Sequence, residues 1–248
     1  MFVVRSEICM PDRQERSERR QPEEPKKPEL EAQREAEGRD SAGTIDTSTP
    51  PPPGRGPVLV IAAHPDDPEF GCGATQAKYV EEGRHVVVAV VTSGDEGGED
   101  PTVPDSELTC QREEEQKRAS AQLGVKTIEF LRFPDGRVEN TLELRREIVR
   151  LIRKHKPESV FTHDPGNFFS DGYLNHPDHR AVGHATLDAI FPAAGNPRSF
   201  RELLSEGLEA HKIKDVYLFF TAQANAWVDV SGCVEKKAAA LREHASQI

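Results

Sequence analysis

The chain has 248 residues, 35% of them hydrophobic and 30% charged, with 32 basic and 43 acidic side chains and a formal net charge of −11. That balance argues against nucleic acid, since phosphate binding needs basic patches, and against adhesion to anionic membranes. No run reaches the roughly 18 apolar residues of a spanning helix, and the N-terminus lacks the apolar core and cleavage site of a secretory signal. A cytoplasmic protein without membrane insertion is expected, and the four scattered cysteines, with no C-x-x-C pair, read as reduced thiols.

Residues 1–56 are rich in Arg, Glu and Pro, poor in large apolar side chains, and include Pro50-Pro51-Pro52-Pro53. Such a segment cannot bury enough apolar surface to offset its ordering entropy, so it reads as a disordered tail ending in a stiff spacer, Thr47 to Pro57. It carries 10 basic and 12 acidic groups, leaving −9 of the −11 on residues 57–248, which are enough for one domain with a sizeable core.

From Pro57 onward, apolar runs alternate with amphipathic stretches. Val58–Ala63 reads as a strand, Gly71–Glu82 as a helix ending at Gly83, and the Val-rich His85–Thr92 as a second strand. Ser106–Leu123 reads as a helix stopped by Gly124, where glycine suits a left-handed cap. Lys126–Leu131 is a third strand. Thr141 then opens a helix to about His155, with Leu142, Ile148, Leu151 and Ile152 broadly on one face. Pro157 ends it, and Ser159–Thr162 is a fourth strand. His176–Ile190 reads as helical, Asp215–Thr221 and Trp227–Val230 as strands, and Glu235–Ala245 as a final helix; Phe191–Glu209 shows no clear period. The alternation implies an α/β domain over residues 57–248: a doubly wound, mostly parallel, Rossmann-like sheet with helices on both faces.

The chemistry concentrates at two places. His64-Pro65-Asp66-Asp67-Pro68-Glu69 follows the first strand, putting an imidazole and three carboxylates at a carboxyl end, where open α/β sheets bind ligands. His176-Pro177-Asp178-His179 lies 112 residues further on. His64 and Asp67 can converge on one centre, and the i, i+3 pair His176 and His179 can face the same crevice. A catalytic zinc takes three protein ligands and leaves one position open for water. Three ligands drawn from these four leave one histidine over, and Asp66 is then a carboxylate free for proton transfer. Each piece has a plain alternative: H-x-x-H as two surface or capping histidines, Asp-Asp as a helix N-cap and first-turn acid. Their joint occurrence at two βα junctions is far more specific.

Ala63-His64-Pro65-Asp66-Asp67-Pro68-Glu69, with His176-Pro177-Asp178-His179-Arg180, resembles the zinc-dependent de-N-acetylases of the LmbE-like (PIG-L) family over roughly Pro57 to Ile248. The resemblance implies a hydrolase that removes acetyl groups from an N-acetylglucosamine-type small molecule, with one zinc per chain. It implies His64, Asp67 and His179 as zinc ligands, and Asp66 as the general base. His176 would stabilise the oxyanion or act as an acid, oriented by Asp178. Glu69 would support the turn. Arg112 matches an arginine that contacts substrate in relatives; a solvated, charged helix face is its plain alternative. Other divalent metals can occupy a histidine–carboxylate site.

Softer features are the turns Thr92–Gly98 and Asp135-Gly136, the latter also a candidate acceptor for a sugar hydroxyl, and the loop Asn167–Tyr173 with its aromatic residues. His163 has no assignment, and His244 reads as structural. Two rival classes stay open: a zinc amidase acting on thiol conjugates with the same site, and a sugar- or nucleotide-binding module without turnover. Against the last, His-Pro-Asp-Asp stands where a nucleotide binder carries G-x-G-x-x-G. Nothing in the acidic surface or the long tail forbids homo-oligomers.

Overall fold

The computed structural model describes residues 2–5, 56–170 and 172–247. The expected disordered tail therefore lies almost wholly outside the described residues. Phe2–Arg5 (β1) departs from that expectation, since it pairs antiparallel along the edge of the sheet.

The remaining elements, in chain order, are β2 (Val58–Ala62), α1 (Asp67–Glu81), β3 (Val86–Thr92), α2 (Asp105–Gln122), β4 (Thr127–Phe133), α3 (Leu142–His155), β5 (Ser159–His163), the short hairpin β6 (Phe169–Ser170) and β7 (Tyr173–Leu174), α4 (Pro177–Asp188) continued by a π-helical segment (Ala189–Ala194), α5 (Glu202–Ser205), β8 (Asp215–Phe219) and α6 (Val234–Leu241). The main sheet runs β1-β8-β5-β2-β3-β4, with every pair parallel except β1 on β8.

The continuous apolar runs of β2 and β3 make sense in this order, because both faces of both strands are covered. Leu59, Ile61 and Ala63 pack with Leu144, Ile148, Val182 and Ala185 on the α3–α4 side. The alternate residues Val58, Val60 and Ala62 pack with Cys72, Ala77, Ala119, Leu123 and Ala240 on the α1–α2–α6 side. Period 2 thus splits one apolar run between two cores.

Helix boundaries follow their caps. Thr141 Oγ1 accepts the Leu144 N–H at 3.2 Å to open α3, and Lys156 in the left-handed region closes it before Pro157. Gly124, at φ 80°, ends α2 as expected. The helix expected from Gly71 begins one turn earlier, at Asp67, and Cys72 interrupts it with non-helical φ −150° and ψ 22°. The sequence break at Gly71-Cys72-Gly73 is therefore a kink and not a start.

Trp227–Val230, expected as a strand, forms none: β8 already has β5 on one side and β1 on the other. The stretch after α4 is organised by Arg153, only 1% exposed, whose guanidinium donates to the carbonyls of Ala193, Ala194, Asn196, Ser199 and Phe200. Among the described residues no helix is long and apolar enough to cross a membrane.

The order also locates the cleft. From β2 the chain steps outward through β3 and β4, then returns to place β5 on the other side of β2. Adjacent crossovers from β2 and β5 leave on opposite faces, which opens a crevice between their carboxyl ends.

Candidate metal and hydrolytic site

The segment after β2 is pinned from both neighbours. Ala63 N–H donates to His163 Nε2 at the end of β5 (3.0 Å), and Ala63 O accepts from Thr92 N–H (2.9 Å) and Thr92 Oγ1 (3.0 Å) at the end of β3. The chain then turns sharply. His64 N–H donates to Asp67 Oδ2 at 2.8 Å, and Asp66 takes φ 98° and ψ −35°, a region that non-glycine residues enter only under constraint. Gln116 Oε1 supplies that constraint by accepting the Asp66 N–H at 3.0 Å. Gln116 Nε2 donates to Glu69 Oε1 (2.9 Å), and Glu69 Oε2 meets His244 Nε2 (3.3 Å), all fully buried. Glu69 and His244 support the turn, as expected.

His64, Asp67 and His179 converge. His64 Nδ1 lies 3.3 Å from both Asp67 Oδ2 and His179 Nε2, and His179 Nε2 is 3.1 Å from Asp67 Oδ1. Their donor atoms all fall within 4.8 Å of one another, as do those of His64, His176 and Asp178. The outer ring nitrogens are also engaged. His179 Nδ1 meets Asn175 Oδ1 at 3.0 Å, and His64 Nε2 lies 3.0 Å from Asp135 Oδ1 and 3.4 Å from Asp178 Oδ2. With acceptors behind each ring the outer nitrogens keep their protons, so a cation that displaced the inner proton of His64 would meet two inner lone pairs facing Asp67. This is how carboxylates and amides orient histidine ligands. Two imidazole nitrogens and one carboxylate oxygen fit a zinc-type divalent cation.

The electrostatics agree. Burial alone would lower His64, but Asp135, Asp178 and Asp67 outweigh it and push the imidazole up to about 12. Carboxylates that hold a proton this firmly favour a cation in its place. Burial would raise Asp67, yet the His179 imidazole, 3.1 Å from its Oδ1, holds its carboxyl well below the usual range. Asp66 is different: burial and the adjacent Asp67 charge push it up to about 6, against the pull of Arg112.

His176 caps α4, its Nδ1 accepting the Asp178 N–H at 3.2 Å, so its proton belongs on Nε2. Burial and the neighbouring His64 lower its pKa and favour the neutral ring. The family resemblance implies that Asp178 orients His176; the hydrogen bond between the two is the one from the backbone N–H of Asp178. The carboxylate accepts Gly136 N–H (2.8 Å) and Val138 N–H (3.2 Å) and backs His64.

Arg112 is 4% exposed, which removes the solvated-face alternative. It donates to Pro65 O (2.9 Å) and Gly94 O (3.2 Å) and lies 3.5 Å from Asp66 Oδ2. A Cβ added at Gly94 or Gly97 would fall on its guanidinium, which explains glycine at both positions of the loop after β3.

Residues 59–190, more than half of the chain, match the PIG-L family, described as GlcNAc-PI de-N-acetylase. The chain belongs to the PIG-L family. Over 190 residues it is 40% identical to a diacetylchitobiose deacetylase of Thermococcus kodakarensis, covering 77% of this chain and 69% of that protein. A 1D-myo-inositol 2-acetamido-2-deoxy-alpha-D-glucopyranoside deacetylase of Streptomyces scabiei is 30% identical over 250 residues, with 77% of this chain and 76% of that one covered. The solved N,N'-diacetylchitobiose deacetylase of Pyrococcus horikoshii, complexed with an inhibitor, superimposes with a TM-score of 0.75 at 29% identity, covering 86% of this chain and 79% of that chain.

In this PIG-L member the sequence motifs assemble one cluster, and three further residues join it. His163 stacks on His179 (ring centroids 4.1 Å apart) and sits 3.4 Å from Asp67 Oδ2, but its Nε2 is taken by Ala63 N–H and burial lowers the ring to about 4. It is a neutral wall and a backbone anchor. Its position at a strand's carboxyl end is a signal that could have found it. Asn175, behind His179, announces itself only through spatial contact, and Asp135, read from sequence as a turn and candidate sugar-hydroxyl acceptor, lies behind His64.

Proposed function

We propose that this chain is a zinc-dependent hydrolase that removes the acetyl group from an N-acetylglucosamine-type substrate. The observation that carries the reading is the pair of imidazoles, His64 and His179, each backed by an acceptor and both directed at Asp67. Relatives named as deacetylases of acetamido sugars support it. A divalent cation held by His64, Asp67 and His179 would supply Lewis-acid polarisation of the amide carbonyl and a water acidified towards neutrality.

The protein's own groups do the rest. Asp66 accepts the proton of the attacking water at its carboxylate and returns it to the departing amine. A carboxyl pushed up to about 6 is well matched to both transfers. His176, neutral with its proton on Nε2, donates a hydrogen bond to the developing oxyanion. Asp178 and Asp135 fix the His64 ring. Arg112 braces Pro65 and Asp66, and its edge beside Asp66 is the candidate contact for a substrate hydroxyl. The bond broken is the amide C–N bond, and the products are acetate and the free amine.

The test is amine release from a panel of N-acetylglucosaminides with zinc supplied, comparing wild type with Asp66→Ala and Asp66→Asn. Turnover by the wild type and its loss in both variants supports the reading. Near-full turnover by Asp66→Asn with zinc bound would remove Asp66 as the base. His179→Ala should lose zinc, whereas His176→Ala should retain it and lose rate; the reverse pattern would exchange their roles. Release of amine only from thiol-conjugate amides would favour the amidase.

A further inference from the structure

Asp66 is the member of the site that metal ligation would leave unpinned. A cation would fix His64 and Asp67 through their side chains, whereas the Asp66 carboxylate is aimed by its own backbone at φ 98° and ψ −35°. Arg112 Nη2, 3.5 Å from Asp66 Oδ2, is too far to hold it firmly. The hold on that backbone is buried and directional. Gln116 and Glu69 are 0% exposed and His244 1%. Gln116 has one possible orientation: its Oε1 accepts the Asp66 N–H, so its Nε2 donates to Glu69 Oε1 and to Ser120 Oγ (3.1 Å). Glu69 passes the contact on to His244 Nε2, 175 residues away.

The segment after α6 also reaches the other side of Asp66. Ser246 donates from its N–H (3.0 Å) and its Oγ (2.6 Å) to the two carboxylate oxygens of buried Glu115. Gln247 Nε2 donates to Gly97 O at 2.9 Å. Gly97 N–H in turn donates to Gly94 O at 3.1 Å, and Gly94 O also accepts from Arg112 Nη1. One stretch of chain therefore bears on Asp66 through Glu69 and Gln116, and on Arg112 through Gly97. None of the hydrogen bonds of Gln116, His244 or Gln247 goes to His64, Asp67 or His179. A buried polar chain is costly unless each member is paired, and a plain tie between α1, α2 and this segment need not end on the N–H of a strained residue. We propose that Gln116, His244 and Gln247 are positioning residues, which hold the Asp66 carboxylate and the Arg112 guanidinium in register and so set the rate of hydrolysis and not the affinity for metal. This rests on the deacetylase reading with Asp66 as the base.

The experiment measures kcat and KM with zinc supplied, on methyl N-acetylglucosaminide and N,N'-diacetylchitobiose, together with zinc affinity by calorimetry and Tm. Gln116→Met and His244→Leu should each lower kcat by about a hundredfold, the scale of a small misplacement of a reacting group, with KM and zinc affinity within about twofold of wild type. His244→Gln, which keeps a donor for Glu69, should recover kcat to within about threefold. Gln247→Ala, at a partly exposed position where water can meet the Gly97 carbonyl, keeps the test open should the buried variants fail to fold; it should lower kcat by about fivefold, again without a change in zinc affinity. Combined with Asp66→Ala, Gln116→Met should leave the slow residual rate unchanged, because residues that act as a unit are not additive. Losses that fall on KM or on zinc binding would overturn the proposal, as would His244→Gln being as damaging as His244→Leu, or Gln116→Met slowing Asp66→Ala by its full factor. Each of those outcomes leaves the deacetylase reading standing. No turnover of either substrate by the wild type would bring down that reading and the proposal with it.

Discussion

Asp66→Gly should stabilise the fold while abolishing turnover. At φ 98° and ψ −35° a non-glycine residue carries strain of about 1–3 kcal/mol. Glycine removes it and gives back about 0.5–1 kcal/mol through the extra freedom of the unfolded chain. Removing the carboxylate sacrifices little else, since Arg112 Nη2 stands 3.5 Å from Asp66 Oδ2, at the edge of hydrogen-bonding range. Asp66→Ala is the control, because it lacks the same carboxylate and keeps the strain. Glycine should therefore exceed alanine by about 1 kcal/mol, or roughly 2–4 °C in Tm for a domain of this size. Thermal and urea unfolding of both variants with zinc removed give the comparison, and amine release gives the activity. A glycine variant less stable than the alanine variant would refute the claim that this backbone is strained. A glycine variant with near-wild-type turnover would refute the use of its carboxylate.

Turnover should fall as the pH drops through about 6, because Asp66 must be ionised to accept a proton and its carboxyl is raised to that value. A bound cation favours the ionised form and places the limb at or below this pH, whereas Arg112→Met, which removes a charge that lowers Asp66, should move it upward; kcat/KM profiles of both proteins read the shift. Arg153→Met leaves five carbonyls without their shared donor and should cost about 3 kcal/mol or more in urea unfolding; a cost below about 1 kcal/mol would mean water replaces the guanidinium. Gly183→Ala places a Cβ 2.6 Å from the His163 carbonyl and 3.1 Å from Pro165 Cδ, forcing α4 away from β5. It should cost about 1–3 kcal/mol and weaken zinc binding through His179, as calorimetric titration would show.

The two central strands β2 and β3 are legible because burial on both faces leaves no charged residue in the run. Trp227–Val230 is rich in strand-forming residues and forms no strand, since pairing depends on a free sheet edge that no local pattern records. Phe2–Arg5 is hidden for the converse reason: three apolar residues in a charged tail signal little until β8 offers them an edge. His64, Asp66, Asp67, His176 and His179 are legible because their chemistry is unusual at a βα junction. Arg112 is undecidable from sequence, because its burial rests on the missing side chains of Gly94 and Gly97. The hold of Asp178 on the loop after β4 is not legible in the sequence, because its carboxylate answers to backbone N–H groups 40 and 42 residues away.

Because the first parallel strand ends in the middle of the sheet, the cluster draws on segments distant in sequence: His64 meets His179 across 115 residues, and Ala63 is held by His163 across 100. No fragment that stops before α4 can hold a cation in this way, so affinity for a divalent metal would be a property of the finished topology. A tightly bound ion then acts as a removable cross-link between distant segments, adding about 4 kcal/mol to the folded state when free metal exceeds its dissociation constant a thousandfold. Chelation would take away the means of hydrolysis and, in the same step, a clasp on the chain.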